Sequence, residues 1–139
     1  MFPKKIWPAL LGLCLLVGCK AEPVYLPVAG KVTVEGKVLP HARLRFVPDA
    51  EKGNTSVLEA RARVDSTGAY TLETGDKQGC LVGWYKVLIF PMKEPGPTEG
   101  PSPPVWLAST IYPNESTTPF SVEVTANPPD GAYDFDLKK

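Results

Sequence analysis

Histidine is nearly missing from this chain of 139 residues, which contains only His41. A Ser-His-Asp hydrolase would depend on that one side chain, and the sequence has no G-x-S-x-G motif to present a serine. It also has no His-x-x-Glu or other metal-ligand spacing. These absences predict a protein that is not an enzyme and that uses no metal and no cofactor.

An excess of charge of either sign is missing too. Fifteen Lys and Arg residues balance fifteen Asp and Glu residues, so the formal net charge is zero. A surface that binds nucleic acid carries a clear excess of positive charge. We therefore predict no nucleic-acid partner.

No apolar run is long enough to cross a bilayer. The longest covers residues 6–17, about 12 residues, whereas a membrane-spanning helix needs roughly 20. Lys4 and Lys5 precede this run, and the small residue Gly18 follows it. A basic start, a short apolar segment and a small residue at its end are typical of a secretory signal, so the sequence predicts an exported protein.

The four residues Leu16-Val17-Gly18-Cys19 end this signal, and they resemble the lipobox of bacterial lipoproteins. The resemblance implies cleavage between Gly18 and Cys19 and a diacylglycerol on the Cys19 sulfur. Two or three acyl chains hold a protein stably to a membrane. The resemblance also favours the outer over the inner membrane, because Lys20 and not Asp follows the cysteine. The alternative is cleavage by the ordinary signal peptidase, with Cys19 unmodified.

Cysteine is scarce in the rest of the chain. Of three cysteines, Cys14 leaves with the signal and Cys19 carries the lipid, so Cys80 is left without an internal disulfide partner. We expect Cys80 to be a small, half-buried hydrophobe near the start of a strand, with an intermolecular disulfide as the alternative.

After the signal peptide (1–18) and a tether (19–27), residues 28–139 consist of short alternating runs separated by Gly, Pro, Asn and Asp. This pattern is typical of an all-β sandwich, so we predict one domain with about seven strands and no helix. The fifth strand is apolar on both faces apart from Lys86, which indicates either a central strand covered on each side or a strand that crosses an edge of the sandwich. The third and fourth form a hairpin around Gly68. The predicted strands are 28–35, 42–47, 58–65, 70–72, 84–90, 120–125 and 133–137.

A proline-rich segment, residues 91–119, separates the last two predicted strands from the rest. It contains eight of the 16 prolines, and proline removes backbone donors, so we expect a long irregular loop. Trp106 and Tyr112 within it either form an exposed binding platform or cover an open end of the sandwich.

Three local motifs stand out in the domain: a glycine-containing strand and turn at 28–36, a D-x-x-G-x-Y hairpin at 65–70, and a G-x-Y-x-V strand at 83–87. They resemble carboxypeptidase-regulatory-like, transthyretin-like domains. The C-terminal runs at 111–114, 118–124 and 133–137 are similar to those of small planctomycete lipoproteins, mostly of unknown role. The resemblance implies an Ig-like or prealbumin-like sandwich and is nearly silent on function.

Four arginines are further candidate ligand contacts. Arg43 and Arg45 alternate with apolar residues on the second predicted strand, and Arg61 and Arg63 do so on the third. If these strands are neighbours, the four side chains form a basic stripe, which either binds a polyanion such as an acidic glycan or prevents aggregation.

Acidic residues cluster near the C-terminus. The sequence around Asp130, Asp134 and Asp136 contains no glycine-rich loop of the kind that gathers oxygens around calcium. We therefore expect a solvated acidic face and no metal site.

The expected function is therefore that of a non-catalytic, lipid-anchored protein of the cell envelope, with a structural or protein-interaction β-sandwich. The alternative is a carbohydrate or small-ligand binding module whose contacts are Trp106, Tyr112 and the arginine stripe. The expected partners are the membrane, through the lipid, and other envelope proteins or glycans.

Overall fold

The computed structural model describes Gly18 and residues 22–39, 41–91 and 111–139. Within these ranges the chain is all-β, as predicted, with twelve strand segments, one 3-10 turn at Ala50–Lys52 and no α-helix. No helix in this part of the chain could therefore span a membrane. The segments are β1 (Tyr25–Leu26), β2 (Ala29–Val34), β3 (Lys37–Val38), β4 (Arg43–Pro48), β5 (Ala60–Arg63), β6 (Ala69–Thr71), β7 (Glu73–Thr74), β8 (Lys77–Gln78), β9 (Cys80–Leu81), β10 (Gly83–Phe90), β11 (Ser121–Val124) and β12 (Phe135–Leu137).

The number of segments differs from the prediction of about seven strands. Each predicted strand overlaps one of the longer segments, which are β2, β4, β5, β6, β10, β11 and β12. The additional segments β1, β3, β7, β8 and β9 are two residues long. A segment of two residues shows no periodicity, so the sequence pattern could not reveal it.

The strands form two larger sheets and one small one. The front sheet has six antiparallel strands in the order β11-β10-β4-β5-β7-β8. The back sheet has the order β12-β2-β3, and β6 also pairs with β2. A separate pair, β1 and β9, completes the pairing.

The hydrophobic core lies between the front and back sheets. Phe46 of β4 approaches Phe135 of β12 with ring centroids 6.2 Å apart, and Phe120 lies 4.9 Å from the same ring. Alternate residues of each strand face inward, as the period of a β-strand requires. The buried cluster includes Leu44, Phe46, Tyr85, Val87 and Ile89 from the front sheet and Val32, Val34, Phe135 and Leu137 from the back sheet. This packing gives the all-β body the character of a sandwich.

Strand β10 is an interior strand of the front sheet, next to the edge strand β11. It pairs with β4 on one side and with β11 on the other. Tyr85, Val87 and Ile89 face the core, and Leu88 on the opposite face is only 3 % exposed. Both faces of β10 are thus partly covered, which explains why apolar residues occupy both of them.

The predicted hairpin of residues 58–72 forms at its two ends but opens in the middle. Near the turn, the Asp65 amide donates to the Ala69 carbonyl at 2.9 Å, and at the base Arg61 pairs with Glu73. Between these points β6 pairs with β2 of the back sheet and not with β5. The two strands splay because they belong to different sheets.

Strand β12 lies parallel to β2 and is held there by two carboxylates. Asp134 Oδ1 accepts a hydrogen bond from the Lys31 amide at 2.8 Å. Asp136 Oδ1 accepts from the Thr33 hydroxyl at 2.7 Å and from the Gly36 amide at 2.9 Å. Both aspartates are exposed, as the acidic-face prediction requires, but they also attach the last strand to the sheet.

Asp136 gives the fold a specific dependence on pH. Hydrogen bonds from Lys138, Gly36 and Thr33 lower the pKa of its carboxyl from 3.8 to about 2. Because the folded-state pKa is the lower one, ionised Asp136 stabilises the fold above pH 3.8, and this contribution is lost as the pH falls towards 2. Asp136→Asn should therefore lower the urea midpoint at pH 7, and its difference from the wild type should shrink towards pH 2.

Asp130→Asn is the matched control, because it makes the same change of charge at an exposed site without these hydrogen bonds. Its urea midpoint should stay close to that of the wild type at both pH values. An Asp136→Asn midpoint equal to the wild-type value at pH 7 would contradict the role assigned to this carboxylate.

Candidate functional site

The residues predicted to carry function divide into two groups. Cys19 and Trp106 lie outside the described residues, so lipid attachment at Cys19, cleavage after Gly18 and a ligand contact at Trp106 stay predictions. The four arginines and Tyr112 are described, and the structure places them in very different surroundings.

The four arginines form one block on the outer face of the front sheet. Strands β4 and β5 are antiparallel neighbours, and their register places Arg43 opposite Arg63 and Arg45 opposite Arg61. Side chains in such positions have Cβ atoms about 4.5–5.5 Å apart. The condition for a basic stripe is therefore met, and we call these four residues the arginine block.

One pair of the arginine block shares the carboxylate of Glu59, which offsets one of its two positive charges. Arg45 Nη2 lies 2.7 Å from Glu59 Oε1, and Arg45 Nε donates to Glu59 Oε2 at 3.0 Å. Arg61 Nη2 lies 3.6 Å from the same carboxylate. The Arg45 side chain is 38 % exposed, so solvent limits the contribution of this ion pair to about 0.2–1 kcal/mol.

The sequence analysis missed Glu59. Its only signal in the sequence is the spacing of two residues from Arg61, which places both on one face of a strand. Its contact with Arg45 depends on the register between β4 and β5, which only the fold decides.

The other pair of the arginine block has no such counter-charge. Arg43 and Arg63 are both exposed, and no described carboxylate lies within 4.0 Å of either guanidinium. Like charges directly opposite each other on a sheet are destabilising. The two ends of the arginine block therefore differ electrostatically.

An open cavity of about 930 Å³ is lined by all four residues of the arginine block, so Arg43 and Arg63 share it with Arg45 and Arg61. It occupies the place where β5 and β6 diverge towards different sheets, and residues of both strands line it. Phe90 of β10, the cross-strand neighbour of Arg43, adds an aromatic edge. The splay of the hairpin thus creates a concave surface next to exposed guanidinium groups.

Two carboxylates on the cavity wall already have partners. Asp65 Oδ1 accepts hydrogen bonds from the Thr67 hydroxyl and amide and from the Ala69 amide, which lowers the pKa of Asp65. Glu73 accepts from the Gln78 amide group at 3.3 Å and stands opposite Arg61. The acidic groups of the wall therefore serve the turn and the base of the hairpin.

Tyr112 is a core residue and not a surface contact. It is 3 % exposed, and its ring stacks on Phe120 with centroids 5.5 Å apart. Its hydroxyl accepts a hydrogen bond from the Lys138 amide at 2.7 Å. The assignment of Tyr112 as a ligand contact is therefore wrong, because no ligand reaches this ring without opening the core. Its burial agrees with the alternative in which Tyr112 covers the sandwich.

Cys80 is more buried than expected. It is 1 % exposed within the core, and burial raises the pKa of its thiol. An intermolecular disulfide would require β9 to leave its place. The prediction of a small apolar residue in a strand is confirmed.

Metal-ligating side chains are dispersed in the ranges that the structure covers. Within 22–39, 41–91 and 111–139, no group of three His, Cys, Asp or Glu residues is placed to hold a metal ion.

The core position of Tyr112 can be tested with two substitutions. Tyr112→Ala should lower the free energy of unfolding by about 3–5 kcal/mol, because it leaves a cavity where a ring was packed. Tyr112→Phe keeps the ring and loses only the hydroxyl contact, so its effect should be about 1 kcal/mol. Urea unfolding followed by circular dichroism measures both, and a Tyr112→Ala variant as stable as Tyr112→Phe would contradict this placement.

Comparison with known proteins adds no relative to this description. No protein-family model, no curated protein and no solved structure matches the chain.

Proposed function

We propose that this chain is a non-catalytic, lipid-anchored protein of the cell envelope, whose β-sandwich is a structural or protein-interaction module. The proposal includes export, cleavage after Gly18, a lipid on Cys19 and placement at the outer membrane. Its support is the lipobox-like sequence together with the position of the first strand.

The observation that carries the proposal is the short distance in sequence between Cys19 and the folded body. Strand β1 begins at Tyr25, six residues after Cys19, and it is already paired with β9. Six extended residues span at most about 20 Å. A lipid on Cys19 would thus hold the sandwich close to the bilayer, where it can contact other envelope components.

The shifted pKa values support a scaffold role. Strongly shifted pKa values often mark reaction centres, but in this chain they have structural causes. Burial raises the pKa of Tyr70 in β6, whose hydroxyl donates to the Tyr133 carbonyl just before β12. Hydrogen bonds that close a turn and attach β12 lower the pKa values of Asp65 and Asp136. Each of these groups holds the fold together.

We also propose that the sandwich is of the prealbumin-like, carboxypeptidase-regulatory-like type. The D-x-x-G-x-Y motif has a physical explanation here that fits this type. Asp65 accepts the hydrogen bonds that close the turn, Gly68 has a φ of 82°, which favours glycine, and Tyr70 is buried. Each residue type of the motif is thus required by the turn and the core.

The anchor can be tested in a bacterial host that processes lipoproteins. The wild-type chain should enter the detergent phase of a Triton X-114 extraction, and mass spectrometry should find a diacylglycerol on Cys19. Cys19→Ser should move to the aqueous phase, because it lacks the sulfur that takes the lipid. Cys80→Ala is the control: it also loses a thiol and should still partition into detergent.

Two results would overturn the anchor. One is a Cys19→Ser chain that stays in the detergent phase. The other is normal processing of the wild-type precursor in cells treated with globomycin, which blocks the lipoprotein signal peptidase.

A second candidate function is a carbohydrate or small-ligand binding module. The specific observation in its favour is the arginine block beside an open cavity. Trp106 stays a proposed contact, whereas Tyr112 is withdrawn because it is buried. Acidic groups are the ligands that this surface would attract most strongly.

A glycan array separates the two candidates. A carbohydrate-binding module should bind acidic glycans, and Trp106→Ala should abolish that binding. An interaction module should give no glycan signal and should retain its protein partners in envelope pull-downs, with or without Trp106. Glycan binding that survives Trp106→Ala would contradict the role of the tryptophan.

A further inference from the structure

We propose that Arg43 and Arg63 form a binding site for a phosphate group, carried either by a soluble molecule or by a lipid headgroup. This proposal refines the ligand-binding candidate by naming its chemistry and its two contacts. The phosphate site does not depend on lipid attachment. Either proposal, the phosphate site or the anchor at Cys19, can therefore fail while the other holds.

The first argument is the contrast between the two arginine pairs. Both pairs are direct cross-strand neighbours on β4 and β5. Arg45 and Arg61 share Glu59, with closest distances of 2.7 and 3.6 Å. Arg43 and Arg63 have no carboxylate within 4.0 Å among the described residues. An external anion would relieve their repulsion in the way that Glu59 relieves that of the neighbouring pair.

The second argument is the surroundings of the pair. The cavity of about 930 Å³, which Arg43 and Arg63 line together with Arg45 and Arg61, is open to solvent and large enough for a phosphate and the molecule that carries it. Of the acidic residues on its wall, Asp65 accepts hydrogen bonds from its own turn, and Glu73 stands opposite Arg61. The guanidinium groups of Arg43 and Arg63 thus keep their donors for a ligand.

The third argument is charge and shape. A guanidinium is a planar fork of donors that matches phosphate and carboxylate oxygens. The two guanidinium groups, on directly opposite strand positions, carry two positive charges, and a phosphate monoester carries about −1.5 to −2 near pH 7. A carboxylate carries a single charge and has fewer oxygens to share between two arginines. Phosphate is therefore the better match for the pair.

The test uses the ¹⁵N-labelled full chain in a non-ionic detergent. Inorganic phosphate replaces chloride at constant ionic strength, and the arginine Nε–Hε signals are followed by NMR. We expect saturable shifts at Arg43 and Arg63. Arg43→Gln or Arg63→Gln alone should weaken binding at least about tenfold, since each removes charge-assisted hydrogen bonds. The double variant should bind phosphate only slightly more weakly than either single variant, because an anion bridged by the two arginines needs both side chains.

Two control variants make the test specific. Lys37→Gln with Lys77→Gln removes two positive charges from exposed residues elsewhere and should leave phosphate binding unchanged. Glu59→Gln should add new shifts at Arg45 and Arg61, because it removes their internal counter-charge. The backbone amide spectrum of each variant checks that the fold is intact.

Several results would overturn the proposal. The first is equal shifts at all arginines, which would indicate diffuse screening. The second is an unchanged phosphate affinity in the double variant Arg43→Gln, Arg63→Gln. The third is the loss of phosphate binding in the two-lysine control. Cys19→Ser should bind phosphate as the wild type does, which separates this site from the anchor.

A short-chain phosphatidic acid, used below its micelle concentration, distinguishes the source of the phosphate. Affinity at least about tenfold above that of inorganic phosphate, lost in Arg43→Gln, supports a lipid headgroup. Equal affinities for the two probes support a soluble phosphate compound. Binding of the lipid that does not depend on Arg43 or Arg63 would contradict the site.

Discussion

The contact between Phe46 and Phe135 joins the two sheets, and much of the molecule follows from it. Because successive side chains of a strand point to opposite faces, burying Phe46 and Leu44 forces Arg43 and Arg45 to the outer face of β4. The same alternation on β5 buries Ala60 and turns its arginines outward. A shift of one residue in either strand would put guanidinium groups into the core. The position of the arginine block is thus a consequence of the hydrophobic core.

The back sheet depends on polar contacts as well as on apolar packing. Its last strand is attached to β2 by Asp134 and Asp136, and the Tyr70 hydroxyl reaches the Tyr133 carbonyl just before that strand. Within the described residues, no buried side-chain nitrogen or oxygen lacks a hydrogen-bond partner. Buried polar groups are costly unless they are paired. The polar side chains of this domain therefore help to fix the pairing of its strands.

The same change of sheets that completes the core also creates the candidate site. After the turn that follows Asp65, the chain leaves β5 and pairs with β2, and it returns to the front sheet at Glu73. The opening between β5 and β6 becomes a cavity, and the exposed end of the arginine block lies beside it. A regular hairpin would have closed this space. The proposed phosphate site thus depends on a local departure from ideal strand pairing.

The sequence by itself determined the all-β class and which residues of the longer strands share a face, because a period of two residues follows directly from β geometry. It also indicated that the arginines share one face. It left open the role of Tyr112, because an apolar residue in a loop can either cover a core or form an exposed contact for a ligand. Only the tertiary structure decided that Tyr112 is buried, that Glu59 contacts one arginine pair and not the other, and that β6 joins the back sheet. These features depend on contacts between residues distant in sequence, and local patterns carry no record of such contacts.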